Sequence, residues 1–321
     1  MMRAPRIFHL AQVCVDITLH IDHLPERGGD VFASNNGISV GGGFNVLYAI
    51  RQMRAPVSYM GAIGSGPMAD IARNGLKLID VDTPGAVIAD VDTGFSIAMT
   101  EPNGERTFVS TRGAETMAPP DSYEKIALVD GDVVYISGYS FVHKSNAEAL
   151  RRFIRKNTGH FSGHIVFDSS PVIADVSDEN LEMLKVLKPI WSVNEREARI
   201  LCRRFNLSIE GETDEDRCAI LARFLSAPVI IRVGADGAWY GDGSAGGKVI
   251  ARHIPAYPTT VIDTNGAGDT HAGVLCASLL QGRNLIDGLK LANCAAGLSI
   301  SQFGPATCPS RETIEKSVSQ H

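Results

Sequence analysis

Asp263-Thr264-Asn265-Gly266-Ala267-Gly268-Asp269 is the stretch whose reading decides the fold. An extended apolar run, Thr259-Thr260-Val261-Ile262, leads into it, and a Gly/Ala-rich apolar run from Ala272 to Leu280 follows. The expected local structure is a strand, a glycine-rich turn and a helix N-terminus, with an acid on each side of the turn. Small residues let the backbone approach a ligand closely, and the first N–H groups of a helix have no intrahelical partner. Such a helix start binds anions, phosphate in particular. An acid in that place would repel a resting phosphate. It has a use if it takes the proton from a hydroxyl that attacks the phosphate, and this is the role expected of Asp269. A glycine-capped turn with two helix-start acids would also account for these residues taken alone, so the rest of the chain has to decide.

The chain has 321 residues, of which 44% are hydrophobic and 21% charged. That is enough to bury a large core in one α/β domain. The formal net charge is −6 and no long basic run occurs, which argues against a nucleic-acid partner. Phosphate must instead be held locally, by helix ends and a few cations. Cys14, Cys202, Cys218, Cys276, Cys294 and Cys308 are scattered without a C-x-x-C pair. They read as reduced thiols of a cytoplasmic protein. Gln12 and Asp16 interrupt the first apolar run, so no signal peptide is expected, and no apolar run is long enough to span a membrane.

Outward from the signature, Ile7 to Val15 reads as a buried first strand with Asp16 at its C-terminal end, where open α/β sheets bind ligands. Thr18 to Ile21 and Val31 to Val40 suit a small projecting sheet. Gly41-Gly42-Gly43-Phe44-Asn45 opens a helix running to about Arg54; its glycines let a substrate touch backbone, and Asn45 offers both donors and an acceptor to hydroxyl groups. Phe95 to Thr100 and Arg106 to Ser110 flank Asn103-Gly104, a strong hairpin signal. From Asp132 to Val233 strands alternate with helices, which argues for a parallel sheet covered on both faces.

Two motifs point elsewhere. Gly37-Ile38-Ser39-Val40-Gly41 fits the nucleophile elbow of serine hydrolases, but a short polar segment precedes it where a buried strand is needed. Gly64-Ser65-Gly66-Pro67-Met68-Ala69 resembles a dinucleotide fingerprint, with Asp82 about where a ribose-binding acid belongs, but the strand before it is not the first of the sheet. Gly246-Gly247-Lys248 lacks the distal glycine and the Ser/Thr of a phosphate loop.

In order along the chain, G-G-G-F-N, the Asn103-Gly104-Glu105-Arg106-Thr107 hairpin, Asn194-Glu195-Arg196-Glu197, Gly234-Ala235-Asp236-Gly237 and D-T-N-G-A-G-D resemble the ribokinase-like (PfkB) carbohydrate and nucleoside kinases. The resemblance runs from Asp16 to Thr307. It implies a three-layer α/β/α fold with a mainly parallel central sheet and a small β lid. The whole chain, 1–321, would be a single kinase domain, with lid segments near 17–40 and 95–115.

It further implies ATP-dependent phosphorylation of a sugar hydroxyl, a hydroxymethyl group by expectation. Asp269 would be the general base, and the amides of Gly266, Ala267 and Gly268 the anion hole. Asp16, Gly42, Gly43, Asn45 and Arg106 would contact the acceptor. Asn194, Arg232, Gly234, Gly237, Asn293 and Gly297 would contact the nucleotide. Glu197 would organise Mg²⁺ through water, and Asp263 and Thr307 a monovalent cation, K⁺. A small-molecule sugar-like substrate, no membrane, and a homodimer through the lid strands complete the expectation.

The chain departs from the family at Ala11, Ser65 to Pro67 and Ser169 to Pro171, where acceptor choice could be made, and His271 stands where many members have Phe. His271 is expected to be a packed, hydrogen-bonded residue and not a catalytic one. A nucleoside kinase remains open, with Phe44 or Phe95 as the base-stacking aromatic, and so does a non-catalytic sugar-binding module.

Overall fold

The computed structural model describes residues 3–159, 161–208 and 213–320. Its first part runs β1 (Ile7–His9), β2 (Val13–His20), β3 (Asn35–Gly42), α1 (Phe44–Gln52), β4 (Val57–Tyr59), α2 (Pro67–Leu78), β5 (Phe95–Thr100) and β6 (Arg106–Ser110). The middle runs β7 (Val133–Ser137), α3 (Tyr139–Val142), α4 (Lys144–Asn157), β8 (His164–Asp168), α5 (Asp178–Leu187), β9 (Ile190–Asn194), α6 (Glu195–Arg204) and α7 (Asp214–Leu225). The last part runs β10 (Pro228–Arg232), β11 (Ala238–Asp242), β12 (Arg252–Ile254), α8 (Ala267–Leu280), α9 (Leu285–Ser299) and α10 (Arg311–Ser319).

Successive side chains of the central strands enter opposite cores. Ile7, Val133 and Tyr135 join one, and Phe8, Val134 and Ile136 the other. A strand apolar on both faces needs cover on both, and helices supply it. α1, α2, α8 and α9 contribute to the first core; α4, α5, α6 and α7 contribute to the second. The main sheet has eight strands in the order β12-β11-β10-β9-β8-β7-β1-β4. Its pairs from β10 to β4 are parallel, and the β10–β11 and β11–β12 pairs are antiparallel. A separate four-stranded sheet, β3-β2-β5-β6, is the lid. The expected three layers and β lid are therefore observed.

Local readings changed in two places. The segment Ile7 to Asp16 is not one strand. The chain leaves the main sheet after His9, where Leu10 N–H donates to Tyr135 O, and re-enters pairing at Val13 in the lid. Asp16 therefore sits within a lid strand, opposite Ser39, instead of at the end of a central strand. Thr259 to Ile262 is not a strand either. Pro255 and Pro258 lack the N–H that a ladder needs, and the amides of Ile262 and Asp263 donate to Ile300 O at the end of α9. The apolar side chains of Val261 and Ile262 stay exposed.

The lid has two unlike faces. Asp16 aligns with Ser39, Ser96 and Ser110 across the strands, and by alternation Phe108 and Arg106 share that side. The opposite face carries Ile38, Ile17, Ile97 and Val109 in one row. α2 packs against its base at Val40, where a Cβ on Gly75 would come within 2.5 Å of the valine.

Candidate active site

The start of α8 and the start of α1 meet at a hydrogen bond between Asn45 and Asp269. Gly266 has φ of +75°, a backbone state that L side chains rarely adopt, and a Cβ there would lie 2.1 Å from Pro305 O. Only glycine fits this turn. It reverses the chain so that Thr270 N–H makes its helical bond to Gly266 O and Asp269 falls in the first turn of α8. Of the three amides expected in the anion hole, that of Ala267 donates to Thr264 O at 3.3 Å. Those of Gly266 and Gly268 make no hydrogen bond among the described residues.

α1 crosses α8 closely because position 273 is glycine, where a Cβ would come within 2.6 Å of Val46 O and Ala49 Cβ. This crossing lets Asn45 Nδ2 donate to Asp269 Oδ2 at 3.0 Å. Burial pushes the Asp269 carboxyl up to about 6; the Asn45 bond and Arg232 pull it down, while Asp168 and Asp16 push it further up. Asn45 is buried, and its Oδ1 has no hydrogen-bond partner. Asp16 packs its carboxylate on Gly41, at a spot any Cβ would overlap, and burial raises its pKa too. Gly42 has φ of +60°, and a Cβ on it would approach Gln12 O and Cys14 Sγ. Gly43 caps α1 over the buried imidazole of His9, which burial holds neutral.

A buried ion-pair network borders the α8 turn. Arg232 Nη1 donates to Asp168 Oδ2 at 2.7 Å and to Ser192 Oγ at 3.0 Å, and Nη2 lies 3.8 Å from Glu197 Oε2. The guanidinium carbon is 3.6 Å from where a Cβ on Gly268 would stand, so this cation borders the α8 turn. Asp168 and Arg232 end β8 and β10, the two parallel strands that flank β9, and Arg232 reaches across the end of β9 to Asp168. Asn194 and Glu197 form a capping box at α6. Glu197 accepts from Asn194 N–H and Ser169 Oγ at Oε2 and from Asn194 Nδ2 at Oε1, so both oxygens are hydrogen-bonded. Among the described residues, no three His, Cys, Asp or Glu side chains converge on a metal position.

Other expected site residues fall around this centre. Gly234 and Gly237 both take positive φ in the turn after β10, and Gly237 abuts Ile254 O. Asn293 donates to Ile254 O and Pro255 O, and Gly297 lies against Tyr257. Both therefore hold the segment after β12 onto α9. Thr307 donates to Ser299 O at 3.0 Å. Arg106 reaches from the lid to Asp263 Oδ1 at 3.0 Å. His271 is packed and buried, and burial holds it neutral, but neither ring nitrogen has the expected hydrogen-bond partner among the described residues.

The two misleading motifs are resolved by contacts. The amides of Met68 and Ala69, at the start of α2, are taken by Asp92, so no pyrophosphate can use them. Ser39 lies in a lid strand and not on a strand-to-helix elbow. Residues that sequence reasoning missed include Tyr139, whose hydroxyl feels the Asp269 charge, and Gln12, which accepts from Ser140 and donates to Tyr139 O. Gly113-Ala114-Glu115 resembles the Gly-Ala-Asn that follows the hairpin in the family, a lid segment, but Glu115 had no expected role of its own. It receives the amides of Gly94 and Gly113 and so ties the base of the lid. An acid in an otherwise small and apolar run was the available signal.

Comparison with known proteins agrees with this geometry. Residues 12–312 match the pfkB family carbohydrate kinases. A relative from Escherichia coli K12, described as the uncharacterized sugar kinase YegV, is 31% identical over 94% of this chain and 90% of its own length. Ribokinase of Arabidopsis thaliana, solved with ribose and ATP, superposes with a TM-score of 0.78 at 19% identity, covering 98% of this chain and 99% of that one. A nucleoside kinase of Burkholderia thailandensis, solved with inosine, superposes with a TM-score of 0.76 at 17% identity, covering 98% and 96%. With a match across nearly its whole length and a ribokinase-like fold, this chain belongs to the pfkB family of carbohydrate kinases.

Proposed function

We propose that this kinase transfers the γ-phosphoryl group of ATP to a hydroxyl, by preference a hydroxymethyl, of a sugar or sugar-like acceptor, with Asp269 as general base. The observation that carries the reading is the Asn45–Asp269 hydrogen bond at the mouth of α8, with a carboxyl near pH 6. A general base works best with a pKa near the operating pH. Phosphoryl transfer asks mainly for alignment and charge neutralisation. The amides of Gly266 and Gly268 would receive the migrating group, one such donor being worth roughly 2.7–4 kcal/mol. Asp269 would take the acceptor's proton, a role worth ~10²–10⁴-fold. Asp16, Gly42, Gly43 and the free Oδ1 of Asn45 would orient the acceptor. Arg232 would face the nucleotide phosphates beside Gly268.

Mg²⁺, when bound with ATP, would neutralise phosphate charge. The engaged oxygens of Glu197 support a link to it through water and not direct ligation. The lid would cover the acceptor and exclude water. Its outer face supports a homodimer, because Ile38 and Val109 are 60% and 56% exposed beside Ile17 and Ile97. No helix of the described residues is long and apolar enough to cross a membrane. We place the enzyme in the cytoplasm, where ATP is available and its six free cysteines stay reduced.

A nucleoside acceptor is the second reading. Phe44 is 9% exposed against Tyr48, and Phe95 pairs opposite Val15 on the outer lid face, so neither can stack a base beside Asp16. Phe108 on the inner lid face and Tyr139 near Asp269 keep that reading alive. ADP release on pentoses, hexoses, ketoses, sugar acids and nucleosides separates the two. No turnover on any of them would reject both and leave a binding module.

A further inference from the structure

The resemblance assigns Asp263 and Thr307 to a monovalent cation, and the donor set in this chain does not fit one. Both carboxylate oxygens of Asp263 already face hydrogen donors. Oδ1 accepts from Asn265 N–H at 3.0 Å and from Arg106 Nη2 at 3.0 Å, and Oδ2 accepts from Gly304 N–H at 3.2 Å. The Thr307 hydroxyl turns its one proton toward Ser299 O and Gly304 O, so those two carbonyls face an O–H group. Ile300 O takes the amides of Ile262 and Asp263. An alkali cation needs several oxygens whose lone pairs are free to face it. Here Asp263 Oδ1 and Ile300 O each already face two hydrogen donors, Oδ2 faces a third amide, and a permanent positive charge stands against the carboxylate.

That charge comes from far along the chain. Arg106 is the first residue of β6, separated from Asp263 by 157 positions, and its side chain is 35% exposed against 10% for Asp263. Thr100 stands opposite it in the lid, on the face that carries Asp16. Asp263 in turn shapes the turn that leads to Gly266 and Gly268, through its bonds to Asn265 and Gly304. A neutralised, fixed Asp263 is what a bound cation would otherwise provide.

We infer that Arg106 takes the place of the monovalent cation, acting as a positioning residue that sets the anion-hole turn from the lid, so that the enzyme works without K⁺. The inference rests on the kinase reading above. It also couples two events: the cation reaches Asp263 only when the lid lies over the site, so the turn is braced when the acceptor is covered.

The test uses the full chain as wild type, Arg106→Ala and Arg106→Lys, in KCl, NaCl or tetramethylammonium chloride at equal ionic strength. Melting temperature, affinity for the ATP analogue AMP-PNP, and turnover are read in each salt. Wild-type turnover and analogue affinity should agree within about twofold across the salts, with no K⁺-specific rise in melting temperature. Arg106→Ala should lose tenfold or more in tetramethylammonium and regain most of it with saturating K⁺, accompanied by a K⁺-specific rise in melting temperature. Arg106→Lys should stay independent of K⁺, which a merely structural contact would not require. Tenfold stimulation of the wild type by K⁺ overturns the inference. So does an Arg106→Ala variant that K⁺ cannot rescue, or one that loses nothing in any salt. If no acceptor is turned over, the melting and analogue arms still decide the cation question, and the failure falls on the proposed reaction instead.

Discussion

Replacing Asp269 by Asn should make the protein more stable while nearly abolishing its chemistry. The Asp269 carboxyl rises from 3.8 to about 6 on folding, chiefly because burial disfavours its charge. A raised folded pKa means the ionised form costs stability. The cost is fully present above about pH 6, shrinks as pH falls from there toward 3.8, and is absent below. At 1.36 kcal/mol per pKa unit the ceiling is about 3 kcal/mol. Screening on its solvent side brings the expected figure to about 1–3 kcal/mol. Asn keeps an oxygen for the Asn45 donor but carries no charge, so it removes the cost. Urea unfolding of wild type and Asp269→Asn at pH 8 and pH 4.5 measures this, with the variant more stable at pH 8 and the gap narrowing at pH 4.5. In the same protein, ADP release should fall ~10²–10⁴-fold. The wild-type profile of kcat/KM should lose its activity below about pH 6. Equal stability at pH 8 would refute the burial argument, and turnover within tenfold of wild type would refute the base assignment.

Arg232→Met should leave Asp168 buried without its cation and destabilise the protein by roughly 3–5 kcal/mol. Because Arg232 lowers the Asp269 pKa, the acid limb of kcat/KM should move to higher pH in that variant; a shift to lower pH would contradict the arrangement. Gly266→Ala forces a Cβ to 2.1 Å from Pro305 O at a φ of +75°. The left-handed conformation alone costs roughly 1–2 kcal/mol, so a lowered melting temperature together with lost ADP release is expected. The double change Ile38→Glu and Val109→Glu puts charge on the outer lid row and should convert a dimer to monomer in sedimentation velocity, with nucleotide affinity unchanged.

Much of this layout was legible in the residues. Short continuous apolar runs, read as strands over Asp132 to Ile136, Ile190 to Val193 and Val229 to Val233, fold as Val133–Ser137, Ile190–Asn194 and Pro228–Arg232, because a strand buried on both faces is apolar throughout. The hairpin at Asn103-Gly104 came out with strand bounds Phe95–Thr100 and Arg106–Ser110, because its turn chemistry is local. The misreadings share a cause. Thr259 to Ile262 has strand composition, but its amides are claimed by Ile300, a partner that no window of sequence contains. Ile7 to Asp16 looks continuous, but the break near Leu10 depends on where Tyr135 offers a carbonyl.

The same division runs through the site. By itself the sequence determined that a glycine turn opens a helix with Asp269 in its first turn, since Gly266 and the following small residues encode that locally. It also determined that Asn194 caps α6, a bond spanning three residues. Tertiary structure alone decided that Arg232 would lie against Asp168 beneath the α8 turn, and that Asp263 would meet a guanidinium from the lid. Charges exert their effect through space, and the residues that neutralise these acids lie 64 and 157 positions away along the chain. Only the order of strands and the placement of the lid convert those separations into contacts of about 3 Å.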